Sequence, residues 1–101
     1  MPDASGRIAP VHPGDILAEA LDDLDMSMNR LAKAIGVPAN RINAIVAGTR
    51  SITGETALRL GRYFGTTAEY WLNLQTRYDL EMARDEFEER IAREVKPRSA
   101  A

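Results

Sequence analysis

Residues 27–48 read SMNRLAKAIGVPANRINAIVAG, and their spacing specifies two short helices joined through a glycine. Ser27 suits an N-cap, because its hydroxyl can accept the backbone N–H three residues on. Beyond it Met28, Leu31, Ala32 and Ile35 share one apolar face, and Gly36 stands where the chain leaves the helix by a left-handed turn. Val37-Pro38 opens a second helix in which Ile42, Ile45 and Val46 recur at i, i+3, i+4 and face inward, with Gly48 closing it. Ala32 at the crossing and Gly36 between the helices meet the packing needs of a helix-turn-helix. Any small helical bundle can contain such a pair, so its use is decided by what faces outward.

With Ile42, Ile45 and Val46 inward, a helical wheel leaves Asn40, Asn43, Ala44 and Ala47 outward and Arg41 on a flank. Asparagine can bond the N7 and N6 edge of adenine, alanine can touch a thymine methyl, and arginine can reach guanine or phosphate. Ala39, Asn40, Arg41, Asn43 and Ala44 are therefore the candidate base-reading residues, with half-sites containing A·T pairs expected. Phosphate contacts belong where helix N-termini and loops approach the backbone, which points to Ser27 and Asn29, then to Thr49, Arg50 and Ser51. Arg30, Lys33, Arg59 and Arg62 read as ordinary surface charges. The same outward residues would also keep a short exposed helix soluble, and the charge distribution favours the DNA reading. Net charge is −2, yet residues 38–65 carry four basic and one acidic side chain, against three and six before them and six and eight after.

Outward from this centre the chain reads as all-α. Residues 1–10 mix Gly, Pro, Ser and Asp and predict a flexible arm. From Pro13 a first helix carries Ile16, Leu17, Ala20, Leu21 and Leu24 at helical spacing. After Gly48, Thr53 caps a helix with Ala57, Leu58, Leu60 and Phe64, in which Gly61 permits close backbone approach and which Gly65 ends. Thr66 with Glu69 forms a capping box for a fifth helix carrying Tyr70, Trp71, Leu72, Leu74 and Tyr78 and extending towards Pro97. The aromatic residues could stack on bases, but their helical spacing beside Leu74 assigns Trp71 and Phe64 to the core. The organisation expected is an arm at 1–10, a helix-turn-helix domain at 11–78, a helical extension at 79–97 and a frayed tail at 98–101.

Within the extension, Leu80, Ala83, Phe87, Ile91 and Val95 trace a narrow apolar stripe along an otherwise charged helix. Glu86 with Arg90 and Glu89 with Arg93 are i, i+4 pairs that support the helix by about 0.2–0.5 kcal/mol each. The leading reading of the stripe is docking to a second subunit. Self-packing onto the chain's own core and contact with a different protein partner are the alternatives.

A chain of 101 residues fits one domain with a modest core, which makes a dimer a natural expectation. There is no cysteine and a single histidine, His12, so thiol catalysis, thiolate ligation and a histidine metal cluster are excluded. Asp15, Glu19, Asp22, Asp23 and Asp25 lack the spacing of a calcium loop and read as a solvated helix face. No phosphate-cradling glycine loop is present, so neither enzyme, metal nor cofactor is expected. No apolar run is long enough to span a bilayer and no secretory signal is read, so no membrane association is expected and the expected location is cytoplasmic.

Taken in order, His12-Pro13-Gly14 with Ile16-Leu17, Leu31-Ala32 to Gly36-Val37, Arg41-Ile42-Asn43, Gly48-Thr49-Arg50-Ser51-Ile52-Thr53, Ala57-Leu58-Arg59-Leu60, Phe64-Gly65-Thr66 and Trp71-Leu72-Asn73-Leu74-Gln75 resemble the HigA/VapI-type antitoxins, a branch of the Xre-like helix-turn-helix regulators. The likeness spans residues 10 to 83. It implies an all-α, five-helix Xre/lambda-repressor-like domain with an extended C-terminal helix, and a structural role for His12 at the start of the first helix. It further implies a dimeric repressor that binds its own double-stranded operator DNA and neutralises a HigB-type toxin, a ribosome-dependent mRNA endonuclease. Two positions depart from the family: Gly54 replaces a better helix former at the start of the fourth helix, and Ala39 replaces a frequently polar groove position. A stand-alone Xre-like regulator without a toxin is the second reading, and a helical adaptor that never touches DNA is a third.

Overall fold

The computed structural model describes residues 9–99, so most of the arm expected at residues 1–10 and the last two residues of the tail lie outside the described residues. Five helices follow in order: α1 (Pro13–Asp23), α2 (Met28–Ile35), α3 (Ala39–Val46), α4 (Gly54–Phe64) and α5 (Ala68–Glu94). This is the all-α, five-helix architecture anticipated above. Leu17, Leu21, Leu31, Ala32, Ile35, Ile42, Ile45, Ile52, Ala57, Leu60 and Trp71 form one core to which every helix contributes. Small size is offset by near-complete burial of these side chains, since removing apolar area from water is the main stabilising term.

Close backbone contact organises the assembly at two glycines. A Cβ at Gly14 would overlap the carbonyl of Ile45, so α1 can sit on α3 only because residue 14 has no side chain. A Cβ at Gly61 would lie 3.0 Å from the Thr66 carbonyl and 3.1 Å from the Ala68 nitrogen, which lets α4 fold tightly under the turn into α5. The start of α1 is completed by His12, whose Nδ1 accepts the Gly14 N–H at 2.9 Å while its ring meets Tyr78 of α5 edge-on at 4.8 Å. His12 is thus a structural cap, as expected.

Several local expectations are corrected. Leu24 does not join the core, because α1 ends at Asp23 and Asp25 turns the chain with φ of 51°. Met26 packs against the core in its place. Met28, in the first turn of α2, is also exposed, and Leu58 lies on the outer side of α4 at 67% exposure. The cap of α5 is Thr67, which accepts the Tyr70 N–H at 3.0 Å, so the capping box at Thr66 does not form. The Thr66 hydroxyl instead accepts the Trp71 indole N–H at 2.9 Å, a donor that burial of the ring obliges to find a partner. Trp71 and Phe64 lie in and against the core, with ring centroids 5.7 Å apart.

Helix α5 runs for 27 residues, or about 40 Å at 1.5 Å per residue. Its first part covers α4 and α1, and the remainder projects beyond the core, giving overall extents of 53 × 34 × 22 Å. Along the projecting part Leu80 is 48%, Ile91 49% and Val95 61% exposed, so the apolar stripe is not folded back on the chain's own core. Arg90 does not form the expected pair with Glu86. Its guanidinium lies 4.8 Å from the centre of the Phe87 ring and turns to Glu94 at 3.9 Å. Arg77 with Glu81 and Arg84 with Glu88 brace the same helix.

Candidate nucleic-acid interface

Both ends of the α2–α3 unit are fixed by backbone bonds. Ser27 Oγ accepts the Arg30 N–H at 3.1 Å and starts α2. At its other end Gly36 adopts φ of 75°, its N–H bonds the Lys33 carbonyl at 3.3 Å, and the Val37 N–H bonds Ala32 at 3.0 Å. That pair of reversed bonds is the Schellman arrangement, which satisfies carbonyls a helix end would otherwise leave open. The same arrangement closes α3, with Gly48 bonding Ile45 at 3.0 Å and Thr49 bonding Ala44 at 2.9 Å. The two helices are consequently short, blunt and set by their glycines.

Ile42 and Ile45 are completely buried, which holds the opposite face of α3 outward. Ala39, Asn40, Asn43 and Ala47 are exposed there and Ala44 is half-buried, so the residues read from the helical wheel do share one accessible surface. Exposed Ser27 and Asn29 lie at the N-terminus of α2, and exposed Arg50 and Ser51 lie in the loop after α3. Thr49 is placed differently from its neighbours, because both its hydroxyl and its N–H are directed to the Ala44 carbonyl, at 3.1 and 2.9 Å. In this pose both of its donors serve to shape the loop. Ser27, by contrast, accepts its cap bond and keeps its hydroxyl proton.

Arg41 sits on the flank of α3 and turns away from the open face. Its guanidinium Nη1 lies 3.4 Å from Glu55 Oε1, its side chain is only 21% exposed, and its buried Nε has no hydrogen-bond partner. Glu55, in the first turn of α4, also receives Arg59, with Nη2 and Nε at 3.1 and 3.4 Å from Oε2. Hydrogen bonding and charge from Arg59, reinforced by Arg41, hold the Glu55 carboxyl below the ordinary glutamate range. Arg59 is not the free surface charge expected of it, since its Nη1 donates to the Ile35 carbonyl at the end of α2 at 2.8 Å. That contact joins the C-terminus of α2 to α4 and suits the negative end of the helix dipole.

Sequence reading gave Gln75 no role of its own. This buried side chain on α5 accepts the Ile52 N–H through Oε1 at 2.8 Å and donates from Nε2 to Asp79 at 2.9 Å. Ile52 closes the loop that carries Thr49, Arg50 and Ser51, so α5 holds that loop from behind. The available signal was a glutamine in line with Trp71, Leu74 and Tyr78 on the inner face of α5.

Among the described residues no group of three or more His, Asp or Glu side chains is placed to hold a metal ion, and no helix is long and apolar enough to cross a membrane. A tightly set helix pair whose second member offers amide and methyl side chains to solvent, flanked by an exposed arginine loop, defines a helix-turn-helix DNA-binding domain.

Comparison with known proteins agrees. The family model described as Helix-turn-helix matches residues 17–71. Virulence-associated protein I of Dichelobacter nodosus is 50% identical over 84 residues, which cover 82% of this chain and 78% of that protein. An addiction module antidote protein of the HigA family from Coxiella burnetii superposes with a TM-score of 0.88 at 54% identity, over 90% of this chain and all of the other. The Pseudomonas aeruginosa antitoxin HigA, solved with the higBA promoter, gives a TM-score of 0.85 at 44% identity over 87% of this chain and 97% of its own. The chain belongs to the HigA/VapI-type antitoxins of the Xre-like helix-turn-helix family, a group of DNA-binding transcription regulators and not of enzymes.

Proposed function

We propose that this antitoxin acts in the cytoplasm, binds its operator duplex as a homodimer, represses its own operon and neutralises a HigB-type toxin. The observation that carries the DNA reading is the exposed face of α3, where Asn40, Asn43 and Ala44 stand over fully buried Ile42 and Ile45. Held so rigidly, α3 enters the major groove with its N-terminal half towards the bases, and Asn40 and Asn43 read adenine edges. Arg50 and Ser51 on one side, and Ser27 and Asn29 on the other, anchor the backbone. The related Pseudomonas antitoxin was solved with its promoter, which supports the same use here.

Two copies pair through Leu80, Ala83, Phe87, Ile91 and Val95 on the projecting part of α5. An uncovered apolar stripe on a charged helix is a seam that gains by excluding water from both copies at once. The toxin assignment rests on family membership.

Fluorescence anisotropy with the chain's own promoter duplex tests the DNA reading. Asn40→Ala and Asn43→Ala should each cost about 1–3 kcal/mol of discrimination against single base changes. Arg50→Ala should weaken all sequences alike and lower the salt slope by about 0.9. Unchanged discrimination in both asparagine variants overturns the base assignment. Truncation after Arg84 should leave a folded monomer by light scattering, and retention of the dimer would remove the α5 seam. Co-purification with the product of the adjacent reading frame tests the toxin partner.

A further inference from the structure

The flank of α3 carries a device that the base-reading face does not explain. Four groups form a chain through the reading head: the Ile35 carbonyl at the end of α2, Arg59 and Glu55 on α4, and Arg41 on α3. Arg59 is anchored at one end by Ile35 and grips one oxygen of Glu55 with two N–H groups. The carboxylate is thereby fixed from behind, and its second oxygen is left to face Arg41. Arg41 answers with one long contact of 3.4 Å while its buried Nε stays unpartnered, so hydrogen bonding alone does not account for the pose. The charged partner facing the guanidinium is Glu55, whose carboxyl the two arginines hold below the ordinary glutamate range.

A guanidinium at the third position of a recognition helix has a ready alternative. Phosphate oxygens lie on either side of the major groove, and an unrestrained arginine binds them strongly, often through two N–H groups, whatever the base sequence. Such a contact adds affinity to every duplex equally and therefore dilutes discrimination.

We propose that Glu55 is a positioning residue that sets sequence specificity: it draws Arg41 onto α4 and keeps it off the DNA backbone, leaving selection to Asn40 and Asn43. Glu55 need not touch DNA to do this, and it acts through Arg41. The inference rests on the proposed use of α3 as the recognition helix.

The experiment measures Kd for the operator duplex and for a random duplex of equal length, each over a fourfold range of salt. The proteins are wild type, Glu55→Gln, Arg41→Gln and the double variant. In Glu55→Gln the freed Arg41 should gain about one phosphate contact, steepening the slope of log affinity against log salt by about 0.9, which is about 3.5-fold across that range. Random duplex should be bound more tightly, and the ratio of operator to random affinity should fall. In the Arg41→Gln background the substitution at 55 should change neither slope nor ratio.

Thermal unfolding checks that each protein is folded. Glu55→Asp provides a second route, since it keeps the charge beside Arg59 but draws back from Arg41, and it should shift slope and ratio in the same direction. If Glu55→Gln or Glu55→Asp is folded and matches wild type in slope and ratio, the inference is wrong while the DNA reading stands. Should the effect of Glu55→Gln persist without Arg41, the carboxylate is only a repelling charge and the positioning role is overturned. If wild type does not prefer operator over random DNA, the DNA reading itself falls and the inference with it.

Discussion

Replacing Gln75 by leucine removes the acceptor for one buried N–H and little else in volume. In the structure the Ile52 amide donates to Gln75 Oε1 at 2.8 Å, and the Ile52 side chain fills the core beneath it. Without that acceptor the N–H is buried and unpaired, at a cost of about 1–3 kcal/mol. The second bond, to Asp79, is part-exposed, so water can replace it at little cost. For a domain of this size 1 kcal/mol shifts the midpoint by about 4–8 °C, so Gln75→Leu should lower Tm by roughly 4–24 °C. Asp79→Ala, which spares the Ile52 bond, should lower it by only a few degrees. Hydrogen exchange at the Ile52 amide gives the local readout, and exchange there should quicken more than at Leu17 or Ile42 in the core. The loop bearing Arg50 and Ser51 should loosen as well, weakening DNA binding without changing its salt slope. Equal Tm for Gln75→Leu and wild type, with unaltered exchange at Ile52, would refute the reasoning.

Gly14→Ala should be severely destabilising, beyond the usual overpacking cost of about 1–3 kcal/mol, because the new methyl must displace the Ile45 backbone; chemical denaturation reads this directly. Gly54→Ala should act in the opposite sense and stabilise by about 0.4–1 kcal/mol, since nothing lies within 4 Å of the added Cβ and the unfolded chain loses freedom. The Glu55 carboxyl should titrate below ordinary glutamates by NMR, and Arg59→Gln should raise it. Because the folded value is depressed, the stabilisation from this ion cluster is fully present above the unfolded-state pKa and is lost as pH falls through the folded-state value.

The five helices were legible because their ends are marked locally. Ser27, Gly36, Gly48, Thr53 and Gly65 each act within four residues of their own position, and a single sequence contains all that such contacts need. Boundaries failed where two local signals competed. Thr66 and Thr67 are equally good caps, and only the demand of the Trp71 indole for an acceptor separates them. Leu24 and Leu58 fit a helical stripe, but the chain turns away at Asp25, and the face of α4 that meets the core is the one carrying Ala57 and Leu60, which leaves Leu58 outside. Within the site, the open face of α3 was legible from the burial of Ile42 and Ile45. Gln75, Arg59 and Glu55 were not, because their partners lie 23, 24 and 14 residues away and no period connects them.

The projecting part of α5 is held by contacts within itself, including ion pairs worth a few tenths of a kcal/mol each, over a length at which an isolated helix is marginal in water. In the proposed dimer its helicity is therefore coupled to occupancy of the stripe. Under the proposed pairing, high concentration should lock the last four turns, and on dilution they should melt before the core helices, which circular dichroism across a dilution series reads. The far end of the chain would then register by mass action how much of its second copy is present.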